Sequence, residues 1–339
     1  MTVYLNEDQR MLRDAAERFL AQRHPLSLAR NACRQDAGAR LALWRELAEQ
    51  GWPALLAPAE HGGLGLGMRE AWIVAEAAGR HLLSLPLAAN MALLPTLCGA
   101  GADAAQWAGA MMAGDTWYAD AAVRPDGSAF IEGAGAGVRA LAVRQTGPAA
   151  LRLELFAPMD SVEGLDPTMP VAVAARPDVM ASANLTVEPG AWNRLRTRLR
   201  LLRSAEMLGA ASAALDMAAA HARERRQFDR AIGANQAIKH RLAEDWMALD
   251  DARLAGWAAA ASLDAGADSA ERDGLFAPLL AGQASRRAAQ NAIQTHGALG
   301  VTWEADAHLY LKRVLRLSAS LEAEVPSPDL LEQIWEAAA

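Results

Sequence analysis

The chain has 339 residues, of which 52% are hydrophobic and 22% are charged, and this length is ample for two or three domains with a sizeable core. The 33 basic and 40 acidic side chains give a net charge of −7, which argues against nucleic acid and against an anionic membrane surface as partners. The two cysteines, Cys33 and Cys98, cannot make a disulfide framework or a zinc site of four thiolates. We therefore expect a reduced, metal-free, cytoplasmic protein.

No targeting or membrane-spanning segment is expected. Residues 1–10 are polar and acidic, unlike the basic start and apolar run of a signal peptide. Residues 82–102 carry no charge, but Pro86, Pro95 and several polar side chains interrupt the apolar run, and a bilayer would leave that broken backbone unsatisfied. This stretch is predicted to be a core helix with a buried loop.

Residues 1–115 are predicted to form an α-helical domain. Leu5 and Leu12 recur at helical spacing, and Asn6 followed three residues later by Gln9 is a plausible N-cap pair. Further helices are predicted at residues 41–50 (ended by Gly51), 68–83 and 105–113.

Residues 116–190 are predicted to form a small middle domain built on an antiparallel sheet. Short apolar runs alternate there with turn-forming segments rich in glycine and proline. The predicted strands are residues 119–123, 141–143, 151–156 and 171–174. Because these strands are short, we expect a reduced domain.

Residues 191–339 are predicted to form a C-terminal helical bundle domain. Apolar residues recur at helical spacing over residues 195–217 and 238–249, and a third helix over residues 275–294 is ended near Gly297. Three or four long amphipathic helices with short connections are typical of a bundle.

A glycine-rich loop at residues 62–67 permits two interpretations. Glycine lets a backbone approach a phosphate closely, as in dinucleotide-binding loops. This loop, however, follows a helix and Pro53 rather than a strand, and no acidic residue follows at the spacing of a ribose contact. An ordinary structural loop is the favoured interpretation.

Residues 223–230 combine several arginines with Gln227 and Phe228 where a long helix is predicted to end. Arginines at such a position can complement the helix dipole and can also bind a pyrophosphate through paired hydrogen bonds. The alternative is a solvated, charged helix end, which is the commoner outcome for a run of charges.

Residues 294–300 end the third bundle helix with two glycines. These glycines would allow a ligand or a partner to approach the backbone closely. A simple glycine cap of the helix explains them equally well on local grounds. His296, taken alone, is favoured as a structural hydrogen-bonding residue.

Glu206 lies in an apolar helical stripe that includes Leu199 and Leu202. Its carboxylate is either paired, with Arg203 one turn back as the obvious partner, or desolvated with a raised pKa and then a candidate catalytic base. The structural pair is favoured.

Together these segments resemble the acyl-CoA dehydrogenase family over nearly the whole chain. The opening helix of that family is similar to residues 5–13, and its tryptophan-containing helix and Gly-Gly-x-Gly loop are similar to residues 43–67. Its flavin-binding Arg-x-Gln-Phe-Gly motif, with the Ile-Gly and Gln-Ala that follow, resembles Arg225, Gln227, Phe228, Ile232, Gly233, Gln236 and Ala237. Its Gln-x-x-Gly-Gly-x-Gly motif resembles Gln294, Gly297, Ala298 and Gly300.

The resemblance implies an N-terminal helical domain, a middle β domain and a C-terminal four-helix bundle, with FAD bound between subunits. It also implies α,β-dehydrogenation of an acyl-CoA, in which a glutamate removes the α-proton, the flavin takes the β-hydride and an electron-transfer flavoprotein accepts the electrons. The cofactor-binding residues that it implies are Arg225, Gln227, Phe228, Gln236, Gln294, Gly297 and Ala298.

The sequence departs from the family at several functional positions. Asp229 and Ala298 replace glycines of the two motifs, and the middle domain is short. The base is missing from both positions that the family uses, because residues 317–321 contain no carboxylate and the alternative position falls near Leu199. Glu206 lies seven residues further along the same helix face and resembles a structural glutamate of the family.

Some members of the family are heteromeric enzymes of bacterial steroid and sterol side-chain catabolism, in which a base-carrying subunit pairs with a shorter one. The chain resembles the shorter subunit, including residues 302–310, so we expect a hetero-oligomer with a larger acyl-CoA dehydrogenase subunit. The alternatives are a self-sufficient homo-oligomer with an unrecognised base, and a flavin-free protein that binds a partner or acyl-CoA. We expect a dimer or a larger assembly.

Overall fold

The computed structural model describes residues 5–324 together with Glu332 and Glu336. The helices that come first are α1 (Glu7–Arg23), α2 (Leu26–Arg30), α3 (Ala37–Glu49), α4 (Met68–Arg80), α5 (Leu87–Cys98) and α6 (Ala102–Met112). The strands of the main sheet follow as β1 (Ala119–Val123), β2 (Ala129–Glu132), β3 (Ala140–Gly147), β4 (Ala150–Phe156), β5 (Val171–Ala174) and β6 (Val179–Thr186). The remaining elements are α7 (Ala191–Glu224), the hairpin strands β7 (Arg226–Gln227) and β8 (Arg230–Ala231), α8 (Gln236–Asp264), α9 (Ala270–His296) and α10 (Ala307–Glu324).

The N-terminal helices follow the local signals of the sequence. Asn6 and Gln9 cap α1 reciprocally: the Gln9 N–H donates to Asn6 Oδ1 at 2.8 Å, and the Asn6 N–H donates to Gln9 Oε1 at 3.2 Å. α3 stops just before Gly51, whose φ of +74° is the left-handed conformation that favours glycine after a helix. Both helix boundaries are therefore set by the residues that predicted them.

Residues 82–98 of the uncharged stretch lie in the core, as predicted, whereas Gly99, Gly101 and Ala102 are exposed. The stretch contains α5, in which Pro95 occupies an interior position and Met91 and Leu94 are fully buried. Among the described residues, no helix is long and apolar enough to cross a bilayer.

The main sheet has the strand order β5-β2-β1-β3-β4-β6. All neighbouring strands are antiparallel except β1 and β3, which pair in parallel through Ala119 with Ala140. The prediction of an antiparallel sheet is therefore wrong at this one pair, and the sheet is mixed. The cause is the connection at residues 133–139, which carries the chain back past β1, so that β3 enters on the far side of β1 in the same direction.

The four predicted strands are present as β1, β3, β4 and β5, whereas β2 and β6 have no counterpart among the predictions. β2 has only four residues, and β6 lies at an edge of the sheet with most of its side chains exposed. β2 offers only the three-residue apolar run of residues 129–131, whereas residues 181–186 of β6 alternate between apolar and polar side chains, which is a strand signal that the prediction missed.

α7, α8, α9 and α10 form the C-terminal bundle, as expected. α7 has 34 residues, and it packs against α4 and α5 of the N-terminal layer as well as against α9 and α10. It is therefore the element that joins the N-terminal helices to the bundle.

α4 and α7 approach each other closely at two glycines. A Cβ atom added to Gly79 would lie 1.8 Å from the carbonyl oxygen of Glu206, and one added to Gly209 would lie 2.0 Å from the carbonyl oxygen of Glu76. A side chain at either position would collide with the backbone of the facing helix. The two helices can therefore pack at this distance only because both positions lack a Cβ.

A continuous hydrophobic core runs through the N-terminal helices, the sheet and the bundle. Leu20, Trp72, Ile131 and Leu208 all belong to it, although they come from α1, α4, β2 and α7. Because the core crosses from one region to the next, the domain boundaries near residues 115 and 190 stay a prediction.

We expect Gly209→Ala to destabilise the fold, because the added methyl group meets the backbone of α4 rather than a flexible side chain. The expected loss is about 1–3 kcal/mol of unfolding free energy, measured by denaturant titration. Gly109→Ala is the matched control, because a Cβ added at Gly109 in α6 has open space around it and should add about 0.5–1 kcal/mol. Effects of the same sign at both positions would contradict the close contact between α4 and α7.

Candidate functional site

Residues 225–231 form a tight hairpin after α7. Arg225 caps the helix, and its N–H donates to the carbonyl of His221 at 2.9 Å. β7 and β8 then pair antiparallel, and the two residues between them, Phe228 and Asp229, have φ values of +51° and +64°. Positive φ at both central residues is typical of a type I′ turn, which favours glycine but tolerates aspartate. Asp229 therefore stands in place of glycine without loss of the turn.

The side chains of this hairpin face solvent. Arg225 and Gln227 are exposed, and Phe228 is 94% exposed. Within residues 5–324, no hydrogen bond or ion pair engages the guanidinium of Arg225, whereas Arg230 donates to Asn235 Oδ1 at 2.7 Å. Among the described residues, no other large hydrophobic side chain is as exposed as that of Phe228.

The second predicted motif is the turn that ends α9. Gly297 caps the helix with a φ of +66°, and its N–H donates to the carbonyls of Ile293 and Gln294. Gly297 is therefore a glycine cap, as one of the two interpretations predicts. Ala298 is exposed and lies outside the left-handed region, so alanine fits there without backbone strain. Gln294 is exposed one turn before this cap.

The structure brings the two motifs together. The imidazole rings of His221 in α7 and His296 in α9 stack with their centroids 4.5 Å apart and their planes at 25°. Gly233 packs against the carbonyl of Ala222, and this contact brings the start of α8 at Gln236 to the same end of the bundle. We call the surface formed by residues 223–236 and 294–298 the hairpin surface. It contains all seven predicted cofactor-binding residues.

The hairpin surface carries an excess of positive charge. Four arginines face two acidic residues there, which gives a local balance of 4 − 2 = +2; they are Arg223, Arg225, Arg226 and Arg230 against Glu224 and Asp229. α8 begins at this surface, so the positive end of its dipole adds to that charge. These donors fit the phosphate groups of a dinucleotide.

A second feature is a cavity of about 870 Å³ between the sheet, α5, the first half of α7 and α10, which we call the sheet cavity. Leu199 of α7 lines one wall, and Ala319 and Ser320 of α10 line another. Both positions at which the resemblance expects a catalytic base thus face one cavity, and neither carries a carboxylate.

Among the described residues, the carboxylates that line the sheet cavity belong to Asp120, Glu132 and Asp166, and each contacts an arginine. Arg203 binds Asp120 and lies 3.6 Å from Glu132. Arg316 Nη1 lies 2.7 Å from Glu132 Oε1, and its Nε donates to Asp166 Oδ2 at 3.0 Å.

The arginines keep Glu132 and Asp166 ionised. Burial alone would raise the pKa of Glu132, but the charges of Arg316 and Arg203, with the hydroxyl of Ser320, outweigh burial and lower this pKa to about 2. Burial also opposes ionisation of Asp166, and the neighbouring guanidinium groups outweigh it and lower the pKa of Asp166. A general base that works near neutral pH needs a pKa near neutrality. These two carboxylates are too acidic for that role.

Arg313 of α10 connects this cluster to the rest of the molecule. Its side chain is fully buried; Nε donates to Asp166 Oδ2 at 2.7 Å and Nη1 donates to Glu206 Oε1 at 2.7 Å. The guanidinium also donates to the carbonyls of Leu83 and Thr168, each at 3.1 Å. One side chain therefore contacts the N-terminal layer, the loop before β5 and α7.

Glu206 is paired, but Arg313 is its partner and the predicted partner Arg203 is not. Arg203 binds Asp120 instead and faces Glu132. The prediction fails because it considered neighbours on one helix only, whereas α10 inserts a buried guanidinium that must be matched by carboxylates.

The glycine-rich loop at residues 62–67 is structural. The N–H groups of Gly63, Leu64 and Leu66 donate to the carbonyls of Pro58, Ala54 and Leu55 at 2.8–3.0 Å. A Cβ added at Gly63 would lie 2.1 Å from the carbonyl oxygen of Ala57. The backbone donors that a phosphate would need are used within the loop, so the favoured interpretation is confirmed.

The sequence analysis missed Asp166, Arg313 and Arg316. A signal existed for one of them: Leu309, Arg313 and Leu317 follow one another at steps of four, so an arginine stands in the apolar stripe of α10. A charge in such a stripe predicts a buried partner. Nothing local identified Asp166, which lies in an irregular segment before β5. Among the described residues, no group of three or more His, Cys, Asp or Glu side chains is arranged to hold a metal ion.

We expect Arg313→Met to cost about 3–5 kcal/mol of unfolding free energy, because it leaves Asp166 and Glu206 as buried charges without this partner. Urea denaturation measures the loss. Arg23→Met is the matched control: Arg23 pairs with Glu46 but its side chain is 55% exposed, so removing it should cost less than about 1 kcal/mol. A loss at Arg313 as small as that at Arg23 would contradict the role assigned to the buried guanidinium.

Comparison with known proteins agrees with this arrangement. Residues 6–115 match the family model of the acyl-CoA dehydrogenase N-terminal domain, and residues 194–320 match that of the C-terminal domain. Acyl-CoA dehydrogenase IpdE2 of Mycobacterium tuberculosis is 32% identical over 97% of this chain and 98% of its own length.

Two solved structures share the fold. The ChsE4-ChsE5 complex of Mycobacterium tuberculosis matches with a TM-score of 0.76 at 22% identity, over 98% of this chain and 97% of that one. PigA with FAD and proline matches with a TM-score of 0.78 at 18% identity, over 97% and 99%. From the family models and the relative of nearly equal length, the chain belongs to the acyl-CoA dehydrogenase family.

Proposed function

We propose that this chain is the subunit without a catalytic base in a heteromeric, FAD-dependent acyl-CoA dehydrogenase, and that a larger subunit of the same family supplies the base. The observation that carries the proposal is the sheet cavity. It has the wall positions of an acyl-CoA dehydrogenase site, at Leu199 and Ala319, but no carboxylate on either.

The remaining carboxylates near the sheet cavity do not replace the missing base. Removal of an α-proton requires a carboxylate that can accept a proton near neutral pH, usually in a dry pocket that raises its pKa. Glu132 and Asp166 have lowered pKa values because arginines surround them. Glu206 Oε1 accepts a hydrogen bond from Arg313 Nη1 at 2.7 Å, and Asp120 is bound by Arg203. The proton-accepting step therefore belongs to the partner subunit in this proposal.

The outward face of α8 supports an assembly. Trp246 and Met247 are 56% and 51% exposed, and Leu254 lies on the same helix with 37% exposure. Large apolar side chains exposed together on one helix are typical of a surface covered by another subunit. One of the solved structures that share the fold is the ChsE4-ChsE5 complex of Mycobacterium tuberculosis.

The hairpin surface supports a contribution to FAD binding. Arg225 would hold a phosphate through paired, charge-assisted hydrogen bonds, and Gln227, Gln236 and Gln294 would add neutral donors beside it. Phe228, Gly297 and Ala298 complete the surface and leave space for close approach. FAD accepts the hydride of the dehydrogenation when it is bound. The acyl-CoA is the substrate, and an electron-transfer flavoprotein would remove the electrons.

We expect the chain purified alone to be colourless and inactive, and to gain flavin absorbance and acyl-CoA dehydrogenation when the larger subunit is added. Absorbance near the flavin bands and turnover with a dye as electron acceptor measure this. A yellow protein that turns over alone would establish the homo-oligomer instead. No flavin and no activity under any pairing would establish a flavin-free binding protein.

Glu206→Gln separates the two enzymatic outcomes, because glutamine keeps a hydrogen-bond acceptor for Arg313 but cannot take up a proton. Turnover per bound flavin should stay within about twofold of the unsubstituted complex, since the proposal gives Glu206 no catalytic step. A collapse of turnover with flavin still bound would identify Glu206 as the base.

We expect Arg225→Ala to weaken FAD retention in the assembled complex by about ten- to a hundredfold, because a charge-assisted contact contributes roughly 1.5–3 kcal/mol. Thermal stability without FAD should change little, since the side chain is exposed. Arg18→Ala is the matched control, because Arg18 is an exposed cation of α1 that lies outside the hairpin surface. Equal FAD affinities for the two variants would contradict the role of Arg225.

A further inference from the structure

The two halves of the hairpin surface come from different helices and are connected by a pair of imidazoles. His221 lies one turn before the end of α7, and His296 is the last residue of α9. Their rings stack with centroids 4.5 Å apart and planes at 25°. The two segments to which the proposed function assigns FAD binding lie at these two helix ends.

The backbone of His221 connects to the hairpin, and the ring of His296 is held in place by its own helix. The carbonyl of His221 accepts the N–H of Arg225 at 2.9 Å, and the carbonyl of Arg225 accepts the N–H of Ile232 at 2.8 Å, which closes the hairpin. On the other side, Nδ1 of His296 lies 2.8 Å from the carbonyl of Ala292. Because a carbonyl only accepts, Nδ1 carries the proton, and this bond fixes the orientation of the ring.

Other polar connections between the two segments are lacking in the part of the chain that the structure describes. The polar bonds of the hairpin stay within residues 221–239, and those of the α9 turn stay within α9 and the residues that follow it. The spacing between Arg225 and Gln294 therefore depends on the packing of α7 against α9, and at this end of the helices on the stacked imidazoles.

We propose that His221 and His296 are positioning residues: their stacked rings hold the Arg225 hairpin and the Gln294 turn at the separation that FAD binding requires. This inference rests on the proposed function, because the stacked pair of imidazoles, which we call the joint, connects the two parts of that same surface. Neither imidazole takes part in the chemistry. Loss of the stack would let the two segments move independently, and a cofactor that contacts both would then bind less tightly.

The joint should respond to pH. Burial, the neighbouring His296 and the charge of Arg225 lower the pKa of His221, and Glu224 partly opposes them. His221 therefore binds a proton less readily in the stacked state than when the joint is open. The stabilisation from stacking is fully present above the ordinary imidazole pKa of about 6.5 and is lost progressively as the pH falls below it.

Hydrogen–deuterium exchange of the full-length chain without FAD tests the joint directly. His221→Ala should lower the protection of residues 225–231 and 294–301 together by about three- to tenfold near pH 7.5, as expected for an aromatic pair. His221→Phe keeps a flat ring and should preserve that protection. His61→Ala, in an exposed loop remote from both segments, is the control and should change neither.

The pH series provides the second measurement. Protection of both segments in the unsubstituted chain should stay constant from about pH 7.5 to pH 6.5 and fall as the pH drops below about 6.5, and His221→Phe should abolish most of this fall because its ring does not titrate. If His221→Ala does not fold, the comparison of His221→Phe with the unsubstituted chain tests the proposal by itself. Two results would overturn the proposed positioning role: unchanged protection of both segments in His221→Ala, or a pH dependence in His221→Phe equal to that of the unsubstituted chain.

FAD affinity of the complex with the larger subunit completes the test. His221→Ala should raise the dissociation constant of FAD by about three- to tenfold, while His221→Phe stays near the unsubstituted value. An intact affinity in an alanine variant whose segments have lost protection would overturn the positioning role. That result is distinct from a failure of the proposed function, which Arg225→Ala reports independently.

Discussion

The buried guanidinium of Arg313 is the interaction on which the arrangement of this protein depends. A charge removed from water must find its hydrogen-bond partners inside the protein, and Arg313 finds them in three different regions. Leu83 belongs to the segment after α4, Thr168 and Asp166 to the loop before β5, and Glu206 to the middle of α7. Apolar packing would allow these regions to slide against one another. The hydrogen bonds of Arg313 are directional, so they favour one arrangement of these three regions.

The same network has a chemical consequence. Glu132 and Asp166, which pair with Arg313 and Arg316, are poor bases near neutral pH, because the guanidinium groups stabilise their ionised forms and lower their pKa values. The low pKa of Glu132 is the clearest case. The arginine pairs that order the sheet cavity therefore prevent Glu132 and Asp166 from abstracting a proton near neutral pH. This agrees with the proposed function, in which the larger subunit supplies the base.

The sequence predicted those features that depend on local chemistry. The long helices have strong apolar periodicity, the cap of α1 needs only Asn6 and Gln9, and four of the strands are apolar runs between turns. The parallel pairing of β1 with β3 depends on where the chain crosses the sheet, which no local pattern records. The partner of Glu206 was predicted wrongly for the same reason, since Arg313 lies 107 residues away. The positive φ of Asp229 could not be predicted either, because aspartate tolerates a positive φ but does not require one.

α7 carries both parts of the proposed function, and its length keeps them apart. Leu199 faces the sheet cavity, whereas Arg225 follows the last residue of the helix. Twenty-six residues separate them, which at about 1.5 Å per residue corresponds to roughly 39 Å along the helix axis. No direct contact can couple a substitution at one end to the charge at the other. In an enzyme that binds FAD between subunits, the hairpin surface of one chain can serve a cavity in its partner. A subunit can thus lack its own base, carry paired charges on the walls of its cavity, and still be required for the cofactor of the neighbouring chain.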